Sequence, residues 1–192
     1  MPKNESAPSV IELLKADHRK VEKLFAALSD AEGDEKVALA REICIELSVH
    51  AEAEEKAFYP PAREALDEEG DDLVREATVE HRSLKQLIAE IDGSSPKQDL
   101  FDANLKVLKE YVEHHVKEEE NELFPKLEKK KDFDQEAVGE KVAAAKARLM
   151  KKVEDQPCPG RGQVVHVPSL TAASVAKAKS PARRKVSAAD VG

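Results

Sequence analysis

The sequence predicts an all-α protein: an up-down-up-down four-helix bundle built as a duplicated helical hairpin, with an extra C-terminal helix and a disordered tail. Three observations carry this reading. Ala, Glu, Lys and Leu are used heavily, while 192 residues include only seven Gly, no Trp and 4% aromatics, a composition that suits aliphatic helical packing. Apolar residues recur at spacings of three and four through successive stretches of the chain, the period of a helix with one buried face. One phrase also occurs twice. His50-Ala51-Glu52-Ala53-Glu54-Glu55-Lys56-Ala57-Phe58-Tyr59-Pro60 aligns with His115-Val116-Lys117-Glu118-Glu119-Glu120-Asn121-Glu122-Leu123-Phe124-Pro125, keeping His first, Glu-Glu fifth and sixth, and an aromatic and Pro at the end.

The first helix opens at Ser9-Val10-Ile11-Glu12, which has the Ser-x-x-Glu form of a capping box. Its stripe runs through Ile11, Leu14, His18, Val21, Phe25 and Leu28, and Gly33-Asp34 then breaks the pattern. The second helix carries Val37, Ile43, Leu47, His50, Glu54 and Phe58, and Pro60-Pro61 is expected to end or kink it. After Asp67-Glu68-Glu69-Gly70 a third helix is expected from about Asp72 to Ile91, with Val74, Ala77, His81, Leu84, Ile88 and Ile91 in line. Its Glu80-His81-Arg82-Ser83-Leu84 echoes Asp17-His18-Arg19-Lys20-Val21 of the first helix. Asp92-Gly93-Ser94-Ser95-Pro96 is a turn signal. The fourth helix follows from about Gln98 or Asp99, aligning Leu105, Leu108, Val112, His115 and Glu119 up to Pro125.

The duplication is regular. His18 and His81 are 63 residues apart, while His50 and His115, like Pro60 and Pro125, are 65 apart. Neither hairpin can bury its stripe alone, so the two are expected to pack together. A fifth helix, from about Gln135 to Lys152, has a thin stripe of Val138, Val142 and Leu149 and is expected to pack outside the bundle or project from it. Beyond Gln156 the composition turns to Pro, Ser, Ala, Lys and Arg, which reads as a disordered basic tail. The expected organisation is a bundle over residues 8–132, an additional helix over 133–155 and a tail over 156–192.

Charge and hydropathy narrow the function. The net charge is −8, yet from Lys151 onward eight basic side chains face three acidic ones, a net +5, so the remainder carries −13. An acidic body argues against general nucleic-acid binding, leaving the tail as the one candidate for such a contact. No apolar run approaches the ~18 residues of a membrane span, and no membrane partner is expected. The N-terminal residues Met1 to Ser6 hold no apolar signal core, so a cytoplasmic location is expected. Cys44 and Cys158 lack CxxC spacing; Cys44 reads as a small apolar residue in a helix.

The chemistry lies in residues that stand where leucines belong. His18, His50, His81 and His115 each interrupt an inward stripe, and Glu54 and Glu119 join them from the second and fourth helices. A buried carboxylate without a partner costs several kcal/mol, so Glu54 in a core stripe calls for a compensating charge. A metal supplies one. Imidazole suits iron, zinc and copper, and a carboxylate is able to bridge two cations. Four imidazoles and two carboxylates form a reasonable shell for two divalent ions about 3.5–4 Å apart. Six side chains leave open positions on two octahedral ions even when both glutamates bridge. Ferritin-like di-iron bundles use Glu-x-x-His at i, i+3; here the spacing is His-x-x-x-Glu at i, i+4, with fewer anionic donors, favouring reversible redox or ligand binding over storage. Glu55 and Glu120 are candidates to accept imidazole N–H bonds beside the site. His114 is rotated ~100° off the stripe and reads as solvated or adjacent to the site. Tyr59 and Phe124 read as core.

The order His…His-x-x-x-Glu…His…His-x-x-x-Glu, with Phe/Tyr-Pro after each copy, resembles the hemerythrin-like HHE cation-binding domain family over roughly Val10 to Lys130. The resemblance implies a non-haem centre of two iron ions, oxo- or hydroxo-bridged, with His18, His50, His81 and His115 as terminal nitrogen ligands and Glu54 and Glu119 as bridging carboxylates. It implies O2, NO or peroxide as the ligand, bound or sensed. There is a departure: oxygen-carrying members have two histidines four apart on the third helix, whereas Ala77 and Lys85 occupy those distances from His81. The second acid is also Glu119 at i+4 rather than an Asp at i+5. One ion is therefore expected to be more open, with water, Tyr59 or Tyr111 as candidates for the vacant position. Turnover of peroxide or nitric oxide at the same centre is the alternative, as is an iron-responsive interaction module whose basic tail contacts DNA or a partner.

Overall fold

The computed structural model describes residues 9–92, 97 and 99–154. The turn residues 93–96, Cys158 and the basic tail lie outside the described residues. In chain order the helices are α1 (Val10–Asp30), α2 (Gly33–Ala53), α3 (Tyr59–Ala65), α4 (Glu68–Asp92), α5 (Phe101–Glu118), α6 (Phe124–Glu128) and α7 (Gln135–Glu154). Short π-helical segments, Glu54–Phe58 and Glu119–Leu123, join α2 to α3 and α5 to α6. The bundle thus has four rods: α1, α2 with α3, α4, and α5 with α6.

Local chemistry explains the starts. Glu12 N–H donates to Ser9 Oγ at 3.2 Å and Ser9 N–H to Glu12 Oε2 at 3.1 Å, the reciprocal cap expected from the sequence. The third rod begins four residues earlier than the sequence suggests. Asp67 Oδ1 accepts the Gly70 N–H at 3.1 Å and caps it, so Gly70 lies inside α4 rather than ahead of it. A Cβ on Gly70 would meet Leu66 Cβ at 2.8 Å, so the residue is small because the chain packs closely there. Asp134 Oδ1 accepts the Ala137 N–H at 2.9 Å and caps α7 in the same way.

Of the two outcomes expected at Pro60 and Pro61, an end or a kink, the second rod does not end; its irregularity is the π turn Glu54–Phe58 directly before them. Tyr59 N–H reaches back five residues to Glu54 C=O, and Phe124 N–H likewise to Glu119 C=O. Each prolyl residue then stands at the first positions of the next α segment, where a missing N–H is tolerated. The additional residue in the turn rotates the stripe by ~100°. Phe58 and Tyr59 are consequently both buried, as are Leu123 and Phe124.

The apolar core is split in two. Leu14, Ala53, Ala77 and Leu123 belong to one cluster, and Val21, Leu47, Leu84 and Val112 to another. Between or directly beside these residues every rod places polar side chains: His18 in α1, His50 and Glu54 around the end of α2, His81 in α4, and His115 and Glu119 around the end of α5. α7 lies against α1, α2 and the first π turn, burying Val138, Val142 and Leu149 in the first cluster. Cys44 is buried in α2 and burial pushes its thiol up, so it behaves as an apolar residue. No helix among the described residues is long and apolar enough to cross a membrane.

Candidate metal centre

All six residues singled out by the sequence meet in the polar layer, and none is more than 7% exposed. The two π turns begin at Glu54 and Glu119, so each carboxylate sits where its helix is locally unwound. His50 Nε2 is 3.2 Å from Glu54 Oε2, and His81 Nε2 is 3.4 Å from the same oxygen. Glu119 Oε2 lies 3.4 Å from His18 Nε2 and 3.7 Å from His115 Nε2. His81 and His115 approach within 3.1 Å, Nε2 to Nε2. Two groups able to hold a cation share Glu54: His18, His50, Glu54 and Glu119 form one, Glu54, His81 and His115 the other, with ligand atoms within 4.8 Å of one another in each.

The fit to a cation can be tested on the polar atoms themselves. His18 Nε2, His50 Nε2, both oxygens of Glu54 and Oε2 of Glu119 are buried without a hydrogen-bond partner. Each such atom costs about 1–3 kcal/mol when left unsatisfied. Five converging lone-pair-bearing atoms are what a metal shell requires, and the residues present fit one.

Outside them stands a second layer that reading single helices only half revealed. The Nδ1–H of His18 donates to Glu120 Oε1 at 2.8 Å, that of His115 to Glu80 Oε2 at 2.8 Å, and that of His50 to Asp17 Oδ2 at 3.2 Å. His81 Nδ1 lies 3.3 Å from Glu55 Oε1. In His18, His50 and His115 the Nδ1–H is donated to a carboxylate and the Nε2 lone pair is held toward the centre, whereas His81 Nδ1 makes no hydrogen bond. The acid of each rod serves the histidine of the next, and the fourth returns to the first. Glu55 and Glu120 were legible as candidates; Asp17 and Glu80 were not, although each directly precedes a histidine in the echoed segments. Cationic groups back three of the acids: Arg19 on Glu120 at 2.5 Å, Lys85 on Glu55 at 2.7 Å and Lys146 of α7 on Asp17; the His114 ring lies within 3.4 Å of Glu80. His114 itself is exposed.

Burial and mutual repulsion divide the two glutamates. Burial, then the neighbouring Glu119, pushes the Glu54 carboxyl well above the ordinary range. Burial also acts to raise Glu119, but His115, His18 and His50 around it outweigh that and hold it at about 2. Burial pushes His50 down to about 4 and lowers His81. His115 is raised, because Glu119 and Glu80 overcome the effect of its burial. Without a cation, Glu119 is thus ionised and His50 neutral at neutral pH, while Glu54 is the harder of the two carboxyls to ionise.

Tyr59 belongs to the site as well as to the core. Its hydroxyl donates to Glu119 Oε1 at 3.1 Å and lies 3.3 Å from His81 Nε2. Tyr111 is 50% exposed and plays no part there. Ala77 packs in the apolar cluster and Lys85 turns to Glu55, so neither stands in for a histidine. Beside the imidazoles lies a cavity of about 20 Å³, lined by all four histidines and by Val21, Leu47, Leu84 and Val112 among others. That is the room of a single water or diatomic molecule.

A four-helix bundle whose buried middle layer converges histidines and glutamates able to hold metal ions is the class that fold and site define together. The model of the hemerythrin HHE cation binding domain matches residues 9–127, and the chain belongs to that family. A crystal structure of a hemerythrin HHE cation binding domain-containing protein from Mycobacterium kansasii superposes with a TM-score of 0.67 at 25% identity, covering 84% of this chain and 99% of that one. Among curated proteins, a DNA nickase of a Nostoc species is 29% identical over 150 residues, 77% of this chain and 42% of its own length. An uncharacterized hemerythrin-like protein of Schizosaccharomyces pombe is 29% identical over 114 residues, 59% of this chain and 56% of its own length. The chain therefore spans about half, or less, of the curated relatives it matches.

Proposed function

We propose that the protein holds two iron ions in the buried layer and binds or senses a small molecule such as O2, NO or H2O2 there. His18 and His50 would serve one ion, His81 and His115 the other, with Glu54 and Glu119 between them. The single observation that carries the reading is the convergence of His18 Nε2, His50 Nε2, both Glu54 oxygens and Glu119 Oε2, all buried without a hydrogen-bond partner; the cavity of about 20 Å³ against the four imidazoles is on the scale of a small molecule. The iron pair supplies reversible redox and Lewis-acid chemistry when bound. The chain's own residues keep the lone pairs aimed, exclude bulk water, and hold a proton on Tyr59 beside Glu119. Burial and the nearby carboxylates push that hydroxyl well above its ordinary range, so it acts as a donor.

The test is anaerobic loading with ferrous iron, followed by rapid mixing with each ligand. Close to two ions per chain and a reversible, stoichiometric spectral change support binding; repeated consumption of peroxide or NO supports turnover. Iron well short of ~2 per chain with no spectral response overturns the reading.

A second reading concerns DNA, because one relative is a DNA nickase. A phosphodiester does not fit a cavity of 20 Å³, so such a contact would fall to the basic segment after Gln156. A salt-sensitive mobility shift with the full chain, lost on deleting that segment, tests it.

A further inference from the structure

We propose that Lys146 of α7 is a positioning residue for the centre: it fixes Asp17, and through Asp17 the His50 ring, so the fifth helix completes a site the four rods only begin. The inference rests on the metal-binding reading above and extends it to an element beyond the segment 9–127 that defines the family.

The contacts form a line. The Lys146 ammonium donates to Asp17 Oδ1, and Asp17 Oδ2 accepts the His50 Nδ1–H at 3.2 Å. Lys146 is 21% exposed and Asp17 16% at their side chains, so the pair is largely sheltered from screening. An Asp between two donors has both orientation and charge determined, and its acceptor oxygen then fixes which nitrogen of His50 carries the proton. With Nδ1 protonated, the Nε2 lone pair points to Glu54 Oε2, 3.2 Å away.

The comparison within the same layer makes α7 distinctive. Glu120 is backed by Arg19 of α1 and Glu55 by Lys85 of α4, both from the rods themselves. Asp17 takes its cation from α7. That helix is anchored independently, since Val138, Val142 and Leu149 are buried in the first cluster. Lys146 is thus delivered by apolar packing, and its effect falls on the group of His18, His50, Glu54 and Glu119 rather than on His81 and His115.

Lys146→Met, Lys146→Arg, Lys85→Met and Asp17→Asn are compared with the parent chain in two measurements. In metal-free protein, nitrogen-15 imidazole spectra report the His50 tautomer. The parent is expected to show Nδ1–H alone and Lys146→Met a mixture, with Lys146→Arg restoring the parent pattern. Cobalt(II) titration, used as an optical probe, is expected to show one of two binding steps weakened by about 10–100-fold in Lys146→Met, the range seen for outer-layer partners of metal ligands. Lys85→Met should weaken the other step. Adding Lys146→Met to Asp17→Asn should cost nothing more, whereas a purely structural role for the lysine stem would remain additive. Parent-like tautomer and titration in Lys146→Met, or full additivity with Asp17→Asn, overturn the proposal. Should the parent take up no cobalt, the metal reading fails, and the tautomer measurement still decides the role of Lys146.

Discussion

Replacing Glu54 by Leu puts opposite signs on stability and on binding. Glu54 is fully buried, and both of its oxygens lack hydrogen-bond partners. Leaving such a group unsatisfied costs about 1–3 kcal/mol, while an apolar side chain of similar size gains roughly 1–2 kcal/mol on burial. Metal-free Glu54→Leu is therefore expected to be more stable than the parent by about 2–5 kcal/mol, or roughly 4–20 °C in Tm for a domain of this size. With ferrous iron at 100 times its Kd the parent gains about 2.7 kcal/mol, whereas the variant, having lost the carboxylate common to both groups, gains little. Thermal melts followed by circular dichroism, with chelator and with anaerobic iron, read both effects. A chelated variant melting at or below the chelated parent, or a variant keeping the parent's iron-dependent shift, would refute the reasoning.

His50 gives the metal-free protein a pH dependence of definite sign. Its folded pKa of about 4 lies below the ordinary 6.5 because of burial, so the unfolded chain binds the extra proton between those values. This contribution is complete above pH 6.5 and is lost as pH falls toward 4, by roughly 3 kcal/mol; urea midpoints of the parent should fall faster over that window than those of His50→Gln. Val112→Ile adds a methylene beside the small cavity: iron content should be unchanged, while NO association in stopped flow slows ~10-fold, equivalent to about 1.4 kcal/mol of barrier. Tyr59→Phe removes the donor to Glu119 Oε1 and should lower metal-free stability by about 1–3 kcal/mol, with an unchanged Tm as the contrary result.

The helical class and the gathering of the six central residues were legible because both are properties of one helix at a time. A histidine at 18 or a glutamate at 54 declares itself by breaking an apolar stripe of period 3.6. What escaped depends on relations between helices or on small departures from that period. Asp17 and Glu80 lie one residue off their own stripes and act on the neighbouring rod, so no single-helix pattern marks them. The π turns insert one residue each, and that shift is what lets Pro60 and Pro61 lie within a rod they were expected to end or kink. The segment Asp67 to Gly70 reads as preceding the third helix; the capping by Asp67 and the closeness of Leu66 make Gly70 part of α4. Lys146 had no signal at all, since the docking of α7 is a tertiary fact.

The circular arrangement of acids and imidazoles has a bearing on how the chain assembles. The contacts between Asp17 and His50 and between Glu80 and His115 join residues 33 and 35 apart, whereas His18 and Glu120 are 102 apart. Short separations close at lower entropic cost than long ones, so each hairpin is able to form its own link while the two are still apart. The link from α5 back to α1 must wait for the hairpins to meet, and on a growing polypeptide it must wait until Glu120 has been made. Closure of the circle thus requires both hairpins to be present and packed together.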